Sequence, residues 1–169
     1  MPVPTILLAD DRPDDVLLIE KAVKQADVPC SVQVVRDGQE AIAYLTGEWP
    51  YTDRTKFPLP DLLLLDLKMP RIDGFEVLEW VRRHSALRCL RVIVLTSSED
   101  IRDVNLAYQL GANSFLVKPL EFQDLKYLAD FLMNYWLQTD KGPVISSELT
   151  AETSGVLGAG HEKRAAAKN

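Results

Sequence analysis

The chain has 169 residues, of which 47% are apolar, and a formal net charge of -6. This length allows one ordinary domain with a sizeable core. An acidic chain repels the phosphate backbone, which argues against nucleic-acid binding. No apolar run approaches the roughly 20 residues that a membrane-spanning helix needs. The two cysteines, Cys30 and Cys89, lack metal-ligand spacing, so we predict a reducing, cytoplasmic setting without a membrane anchor.

Short apolar runs alternate with helical patterns along the chain. The apolar runs predict strands over residues 6–9, 32–35, 62–65, 92–95 and 114–117. Helical spacing predicts helices over residues 14–26, 40–45, 74–83, 100–110 and 121 to about 136. The third and fourth strands contain no polar residue, which is typical of parallel strands covered on both faces. We therefore predict a doubly wound α/β fold with five parallel strands in the flavodoxin-like order 2-1-3-4-5 and five helices.

The composition changes after Leu137. Residues 138–169 contain no aromatic side chain and are rich in Ser, Thr, Gly, Ala and mixed charge. This composition predicts one domain over residues 1–137, followed by a mostly disordered tail that is too short and too polar for a DNA-binding output domain.

One short basic run, Arg82-Arg83-His84, interrupts the acidic chain. The run is short and falls at the end of the third predicted helix, and we interpret it as a solvated helix end. We also interpret His84 as a surface histidine, because the surrounding architecture of a histidine kinase is missing.

Polar residues follow the strands at the points where the strands end. Asp10 and Asp11 follow the first strand, Asp66 the third, Thr96 ends the fourth, and Lys118 follows the fifth. Ligands of an open parallel sheet bind outside the carboxyl ends of the strands, so these side chains are predicted to converge on one rim. Each alone is equally explained as a turn, loop or helix-cap residue. Their joint placement favours a shared site.

The chemistry of this set favours phosphoryl transfer. Three carboxylates in one pocket stay ionised together when a hard divalent cation lies among them, and Mg²⁺ prefers such oxygen ligands. Phosphoryl transfer needs positioning and charge stabilisation more than covalent help. Asp66 is the only carboxylate that is placed centrally on the sheet and is not immediately paired, which makes it the predicted nucleophile. Thr96 and Lys118 are predicted to contact phosphoryl oxygens through a hydroxyl and an ammonium.

Four sequence stretches resemble the receiver domains of two-component response regulators, over roughly residues 4–137. They are Ile-Leu-Leu-Ala-Asp-Asp at 6–11, Leu-Leu-Asp-Leu-Lys-Met-Pro at 64–70 with Asp-Gly at 73–74, Val-Leu-Thr-Ser at 94–97, and Leu-Val-Lys-Pro at 116–119. The resemblance implies that Asp66 is the phospho-acceptor. It also implies that Asp11 is a direct Mg²⁺ ligand, that Asp10 acts through water, and that the carbonyl of Lys68 is a further ligand.

The same resemblance implies a conformational switch. Thr96 is expected to be the switch hydroxyl, Lys118 the lysine that contacts the phosphoryl group, and Phe115 the mobile switch aromatic. The Lys118–Pro119 bond is expected to be cis, a state that X-Pro bonds reach at modest cost.

The resemblance also implies partners. A sensor histidine kinase would supply the phosphoryl group, and self-phosphorylation from a donor and autodephosphorylation would be the only chemistry. Arg12-Pro13-Asp14-Asp15 and the long loop over residues 47–60 are similar to stand-alone regulators paired with bacterial phytochromes, the cyanobacterial type above all. The aromatic residues of the last helix are explained either by core packing or by a homodimer through the helix 4–strand 5–helix 5 face.

Two alternatives remain beside this interpretation. A Mg²⁺-dependent phosphatase of the haloacid-dehalogenase type needs a second acid two residues after the nucleophile, where this chain has Lys68. A degenerate receiver that acts only as a docking module would lack some of the reactive residues, and here all of them are present.

Overall fold

The structure, a computed structural model, describes residues 3–143 and 145. Its strands are Thr5–Ala9 (β1), Ser31–Val35 (β2), Leu62–Leu65 (β3), Arg91–Thr96 (β4) and Ser114–Val117 (β5). Its α-helices are Pro13–Lys24 (α1), Gly38–Thr46 (α2), Gly74–Arg83 (α3), Ile101–Gln109 (α4) and Phe122–Leu132 (α5), and a π-helix, Met133–Thr139, extends α5. All strand pairs are parallel, in the order β2-β1-β3-β4-β5. The predicted fold class and strand order are confirmed.

Helices cover the sheet on both faces, and its central strand β3 carries a buried leucine at every position. Leu63 and Leu65 pack with residues of α2, α3 and α4. Leu62 and Leu64 pack on the opposite face with residues of α1 and α5. Burial of each such leucine contributes about 2 kcal/mol of transfer free energy. With both faces occupied, the carboxyl edge of the sheet is left for polar residues.

Three of the helices that begin beside that edge, α2, α3 and α4, have aspartate caps. Asp73 forms a capping box with Glu76: each side chain accepts a hydrogen bond from the other residue's main-chain N–H, both at 2.9 Å. Asp37 caps α2 by accepting the N–H of Glu40, and Asp100 caps α4 by accepting the N–H of Arg102. Such caps contribute about 1 kcal/mol each and fix where the preceding loop ends.

The long loop between α2 and β3 is held by an arginine and by aromatic contacts. Arg54 donates to the carbonyl oxygens of Tyr44 (2.7 Å), Leu45 (2.9 Å) and Phe57 (3.2 Å), which places a cation at the C-terminus of α2. The Tyr44 hydroxyl donates to the carbonyl of Pro58 at 2.8 Å. Burial raises the pKa of Tyr44 to about 12, although the nearby Arg54 opposes the shift.

The π-helix continues to Thr139, two residues beyond the predicted domain boundary at residue 137, and the chain then packs against the domain. The division into a domain and a tail stays a prediction. Arg91 Nη2 lies 2.5 Å from a carboxylate oxygen of Asp140 and donates to the carbonyl of Asp140 at 3.0 Å. Ile145 packs against the core. The prediction of a disordered tail otherwise concerns residues 146–169, which lie outside the described residues.

The interpretation of the basic run as a solvated helix end is wrong for Arg82. This side chain is half-buried and donates to the carbonyls of Arg88 (3.0 Å), Leu90 (2.7 Å) and Gly111 (2.9 Å). His84 is also half-buried, and burial lowers its pKa. Arg82 thus binds the turns that follow α3 and α4, and the ring of His84 packs beside Trp80.

None of the helices within residues 3–143 and 145 combines the length and the apolar character that crossing a membrane requires.

Candidate phosphoryl-acceptor and metal site

Hydrogen bonds between the strand ends hold the predicted site residues in register. The N–H of Asp66 donates to the carbonyl of Ala9 at 2.9 Å, and the N–H of Lys118 donates to the carbonyl of Thr96 at 2.8 Å. Both bonds continue the parallel ladders one residue beyond the strands. The side chains of Asp66 and Lys118 are therefore fixed at the carboxyl edge of the sheet, as predicted.

Three carboxylates form a cluster at this edge. Oxygens of Asp10, Asp11 and Asp66 lie within 4.8 Å of one another. Asp10 and Asp66 are 0% and 5% exposed, and Asp11 is more accessible. Oδ1 of Asp11 and Oδ1 of Asp66 are buried and accept no hydrogen bond from the described part of the chain.

Buried acceptors without partners are costly, so these two oxygens are suited to bind a cation. The donor set is hard, anionic and composed of oxygen, which is the set that Mg²⁺ prefers. The residues present therefore fit a divalent cation.

Lys118 neutralises the same cluster. Its Nζ lies 2.7 Å from Asp10 Oδ2, 2.9 Å from Asp15 Oδ2 and 3.2 Å from Asp66 Oδ2. Burial lowers the pKa of Lys118, but the bonds to Asp10 and Asp15 and the charge of Asp66 outweigh it, so the pKa is raised overall. The prediction that Asp66 is unpaired is thus wrong, because the lysine side chain is long enough to reach it across β4.

Asp10 is the most deeply buried carboxylate of the cluster. Burial raises its pKa, and the hydrogen bonds from Lys118 and from the N–H of Arg12 only partly counter this effect. A second cation near Asp10 would favour its ionised form further.

Asp15 is a site residue that the sequence analysis missed. It lies in the first turn of α1, shortly after the loop residues Asp10 and Asp11. Its carboxylate also lies 3.6 Å from Arg12 Nε. The closeness of Asp15 to Asp11 along the chain was visible in the sequence, but only the fold brings Lys118 to the same point.

We expect Asp15→Asn to lower the free energy of unfolding by about 1 kcal/mol, because a charged hydrogen bond to Lys118 becomes a neutral one at a partly solvated position. Urea denaturation in EDTA measures the change. The matched control is Asp14→Asn, an exposed neighbour in the same helical turn, which is equally close to the helix dipole. Equal losses in the two variants would contradict the role assigned to Asp15.

The two predicted switch residues lie on the neighbouring strands β4 and β5. Thr96 is 1% exposed, and its hydroxyl oxygen accepts a long bond of 3.5 Å from the N–H of Ser98. Phe115 is half-buried against the core, and its N–H donates to the Tyr108 hydroxyl at 3.1 Å. Lys68 is exposed in the loop after β3. The switch and ligand roles of Thr96, Phe115 and Lys68 stay predictions.

The prediction of a cis Lys118–Pro119 bond is wrong. Within the described residues, the cis bond is Trp49–Pro50. The trans isomer is favoured by about 0.5–1 kcal/mol for X-Pro bonds, and Lys118 reaches the three carboxylates from it.

The sequence-family model of the response regulator receiver domain matches residues 6–130. This match spans both faces of the sheet and every strand end described above. The chain belongs to the response regulator receiver family. The prediction from the sequence motifs is confirmed: the chain is a receiver of two-component phosphorelay signalling.

Relatives of the receiver come from several signalling systems. The probable methanogenesis regulatory protein FilR2 of Methanothrix harundinacea is 36% identical over 138 residues, which are 82% of this chain and 86% of FilR2. Response regulator Rcp1 of Synechocystis is 33% identical over 138 residues, which are 82% of this chain and 92% of Rcp1.

Solved structures of the same kind superpose closely. The phosphorylated cyanobacterial phytochrome response regulator RcpA has a TM-score of 0.78 at 34% identity, covering 85% of this chain and 100% of RcpA. The Mn²⁺-bound form of Rcp1 has a TM-score of 0.75 at 33% identity, covering 83% of this chain and 99% of Rcp1. The predicted similarity to cyanobacterial phytochrome response regulators is therefore confirmed.

Proposed function

We propose that the receiver accepts a phosphoryl group on Asp66 from the phosphohistidine of a sensor kinase, in the presence of Mg²⁺. The observation that carries this proposal is the buried Oδ1 of Asp66, which, like Oδ1 of Asp11 beside it, has no hydrogen-bond partner among the described residues. Asp11, Asp66 and the carbonyl of Lys68 would hold the ion directly, and Asp10 would hold it through water. The Mn²⁺-bound form of the relative Rcp1 supports a divalent cation here.

In the proposed transfer, a carboxylate oxygen of Asp66 attacks phosphorus, the P–N bond breaks, and its electron pair stays on the imidazole. When bound, Mg²⁺ neutralises negative charge on the phosphoryl oxygens. The Lys118 ammonium shifts from Asp66 toward one phosphoryl oxygen, and the Thr96 hydroxyl donates to another. Water later cleaves the acyl phosphate, and this autodephosphorylation is the only other reaction we propose.

The aspartyl phosphate would act on a pre-existing equilibrium of the switch residues. Its contacts with Lys118 and Thr96 are absent in the unphosphorylated state. Each charged hydrogen bond contributes about 1.5–3 kcal/mol, and a shift from mostly off to mostly on needs about 5.5 kcal/mol. Movement of Thr96 toward the phosphoryl group would draw Phe115 inward and change the α4–β5–α5 face.

Exposed leucines beside the site suit a kinase partner. Leu17 and Leu18 on α1 are 66% and 42% exposed, and Leu120, two residues after Lys118, is 101% exposed. Leu18 and Lys118 also line a shallow cleft between α1 and the loop after β5. We propose that this apolar rim docks a sensor histidine kinase, and the similarity to Rcp1 and RcpA favours a phytochrome-type kinase.

Phosphotransfer tests this proposal through two donors. A radiolabelled phytochrome-type kinase and a small donor such as acetyl phosphate should both label the receiver in Mg²⁺, and EDTA should abolish both reactions. The double variant Leu17→Ala/Leu18→Ala should slow transfer from the kinase about tenfold, because two apolar contacts are lost, and should leave labelling by the small donor unchanged. A wild-type receiver that neither donor labels would favour the docking-module alternative.

We further propose a homodimer through the α4–β5–α5 face. Tyr127, Phe131 and Tyr135 are 64%, 63% and 46% exposed, and the rings of Phe131 and Tyr135 stack at 6.0 Å. Exposed aromatic area of this kind is typical of interfaces. Sedimentation should show a dimer that Phe131→Glu dissociates and that exposed Leu17→Ala preserves. A monomeric wild type would contradict the proposed seam.

A further inference from the structure

A residue in the loop after β3 has an unusual main-chain conformation. Within the described residues, Arg71 is the one non-glycine residue with a positive φ, at 67°. Side chains with a β-carbon adopt this left-handed region at a cost, which persists only where neighbouring structure holds it. The same loop carries Asp66 and Lys68, so the conformation of Arg71 bears on the position of the proposed metal ligands.

An ion pair holds Arg71 in place. Its Nη2 lies 2.7 Å from Oδ2 of Asp37, whose side chain is only 2% exposed. The other oxygen of Asp37 accepts the N–H of Glu40 at 2.8 Å as the cap of α2. Asp37 is therefore anchored by a helix and cannot follow the arginine if the loop moves. This anchoring distinguishes the pair from an ordinary surface salt bridge, in which both side chains are free to drift.

The main chain is locked at the same point. The N–H of Gly38 donates to the carbonyl of Ile72 at 3.1 Å. A β-carbon on Gly38 would overlap that carbonyl oxygen, so the N-terminus of α2 touches the loop directly. Two independent contacts, one from a side chain and one from the main chain, thus tie the loop to α2 and not only to the sheet.

We infer that Asp37 and Arg71 form a clasp that holds the β3–α3 loop, and with it the carbonyl of Lys68, in the geometry that binds the metal. The inference rests on the proposed function, because the ion is part of that proposal. Asp37 and Arg71 are positioning residues, since neither belongs to the carboxylate cluster of Asp10, Asp11 and Asp66. Without the clasp the loop would relax out of the left-handed conformation, and metal binding would have to restore it.

Two substitutions of the same residue separate the ion pair from the main-chain conformation. Arg71→Ala removes the ion pair and keeps the β-carbon that disfavours a positive φ. Arg71→Gly removes the ion pair but adopts a positive φ without that cost. Asp37→Asn removes the charge while its amide oxygen can still cap α2. The control is Arg83→Ala, which breaks an exposed pair with Glu79 at the far end of α3.

Titration calorimetry with Mg²⁺ on the purified full chain tests the clasp without any phosphoryl donor. We expect Arg71→Ala and Asp37→Asn to weaken Mg²⁺ binding about tenfold, Arg71→Gly to weaken it about threefold or less, and Arg83→Ala to leave it unchanged. Thermal melts in EDTA confirm that each variant is folded.

Mg²⁺ affinities of Arg71→Ala and Asp37→Asn within twofold of the wild type would overturn the clasp and leave the proposed function intact. Arg71→Gly binding more weakly than Arg71→Ala would also overturn it, because the conformational cost would then play no part. A wild type that binds no Mg²⁺ would instead contradict the proposed function, and the clasp with it.

Discussion

Replacing Lys118 with methionine is expected to lower the free energy of unfolding by about 3–5 kcal/mol in a metal-free buffer. The lysine side chain is 9% exposed and pairs with Asp10, Asp15 and Asp66. Its removal leaves buried carboxylates without a countercharge. Urea denaturation in EDTA measures the loss.

Magnesium should recover much of this loss. The ion binds the same carboxylates, and a ligand that binds only the folded state stabilises it in proportion to its affinity and concentration. Saturating Mg²⁺ should therefore stabilise Lys118→Met more than the wild type. Lys24→Met, which replaces an exposed lysine in the last turn of α1, should show neither effect. Equal stabilities of Lys118→Met and the wild type in EDTA would contradict the account of the charge cluster.

The comparison of the wild type with Lys118→Met also predicts how stability depends on pH in the alkaline range. The pKa of Lys118 is raised above its ordinary value of 10.5. The contribution of the Lys118 ammonium to stability is therefore fully present below the pKa that the lysine has in the unfolded chain. This contribution is lost as the pH rises through the higher pKa that the lysine has in the folded protein. The advantage of the wild type over Lys118→Met should be constant at neutral pH and should shrink only above about pH 10.

Gly74→Ala is expected to cost about 3 kcal/mol of stability and to displace the phospho-acceptor. A β-carbon on Gly74 would overlap the carbonyl oxygen of Asp66 and crowd the Cα of Leu67. Both are main-chain atoms, so no side-chain rotation relieves the overlap. The N–H of Gly74 also donates to the carbonyl of Leu67 at 2.9 Å, so a shift of the helix start breaks this bond. Labelling by acetyl phosphate should fall together with the melting temperature.

A second glycine provides the matched control. A β-carbon on Gly142 would meet the guanidinium of Arg91, which is the end of a flexible side chain that can move aside. Gly142→Ala should cost less than about 1 kcal/mol and should leave labelling of Asp66 unchanged. A loss in Gly74→Ala no larger than that in Gly142→Ala would contradict the packing argument.

The carboxyl edge of the sheet could be predicted from the sequence, because buried parallel strands have a recognisable local pattern. An uninterrupted run such as Leu62–Leu65 has no polar face, so it must be buried on both sides. The parallel order then brings the residues after each strand to one edge, and Asp10, Asp66 and Lys118 meet there. Local pattern and topology rules sufficed for this much of the site.

The pairing of charges within the site was not predictable in the same manner. Asp15 and Lys118 are 103 residues apart in the chain and meet at 2.9 Å, and no local pattern links them. The same limit applies to Arg82 and Arg91, because the carbonyl groups to which they donate belong to other segments of the chain. From the sequence alone such arginines and aspartates are expected to be solvated. Only the tertiary structure brings carbonyl and carboxylate oxygens or cationic groups within hydrogen-bonding distance of them.

Chemical identification of the phosphorylated residue tests whether Asp66 is the phospho-acceptor. The receiver is phosphorylated with acetyl phosphate and Mg²⁺, the acyl phosphate is reduced with borohydride to the corresponding alcohol, and the peptides are sequenced by mass spectrometry. We expect homoserine at position 66 in the wild type and no modified residue in Asp66→Ala. A reduction product at another carboxylate, or labelling that persists in Asp66→Ala, would show that Asp66 is not the acceptor.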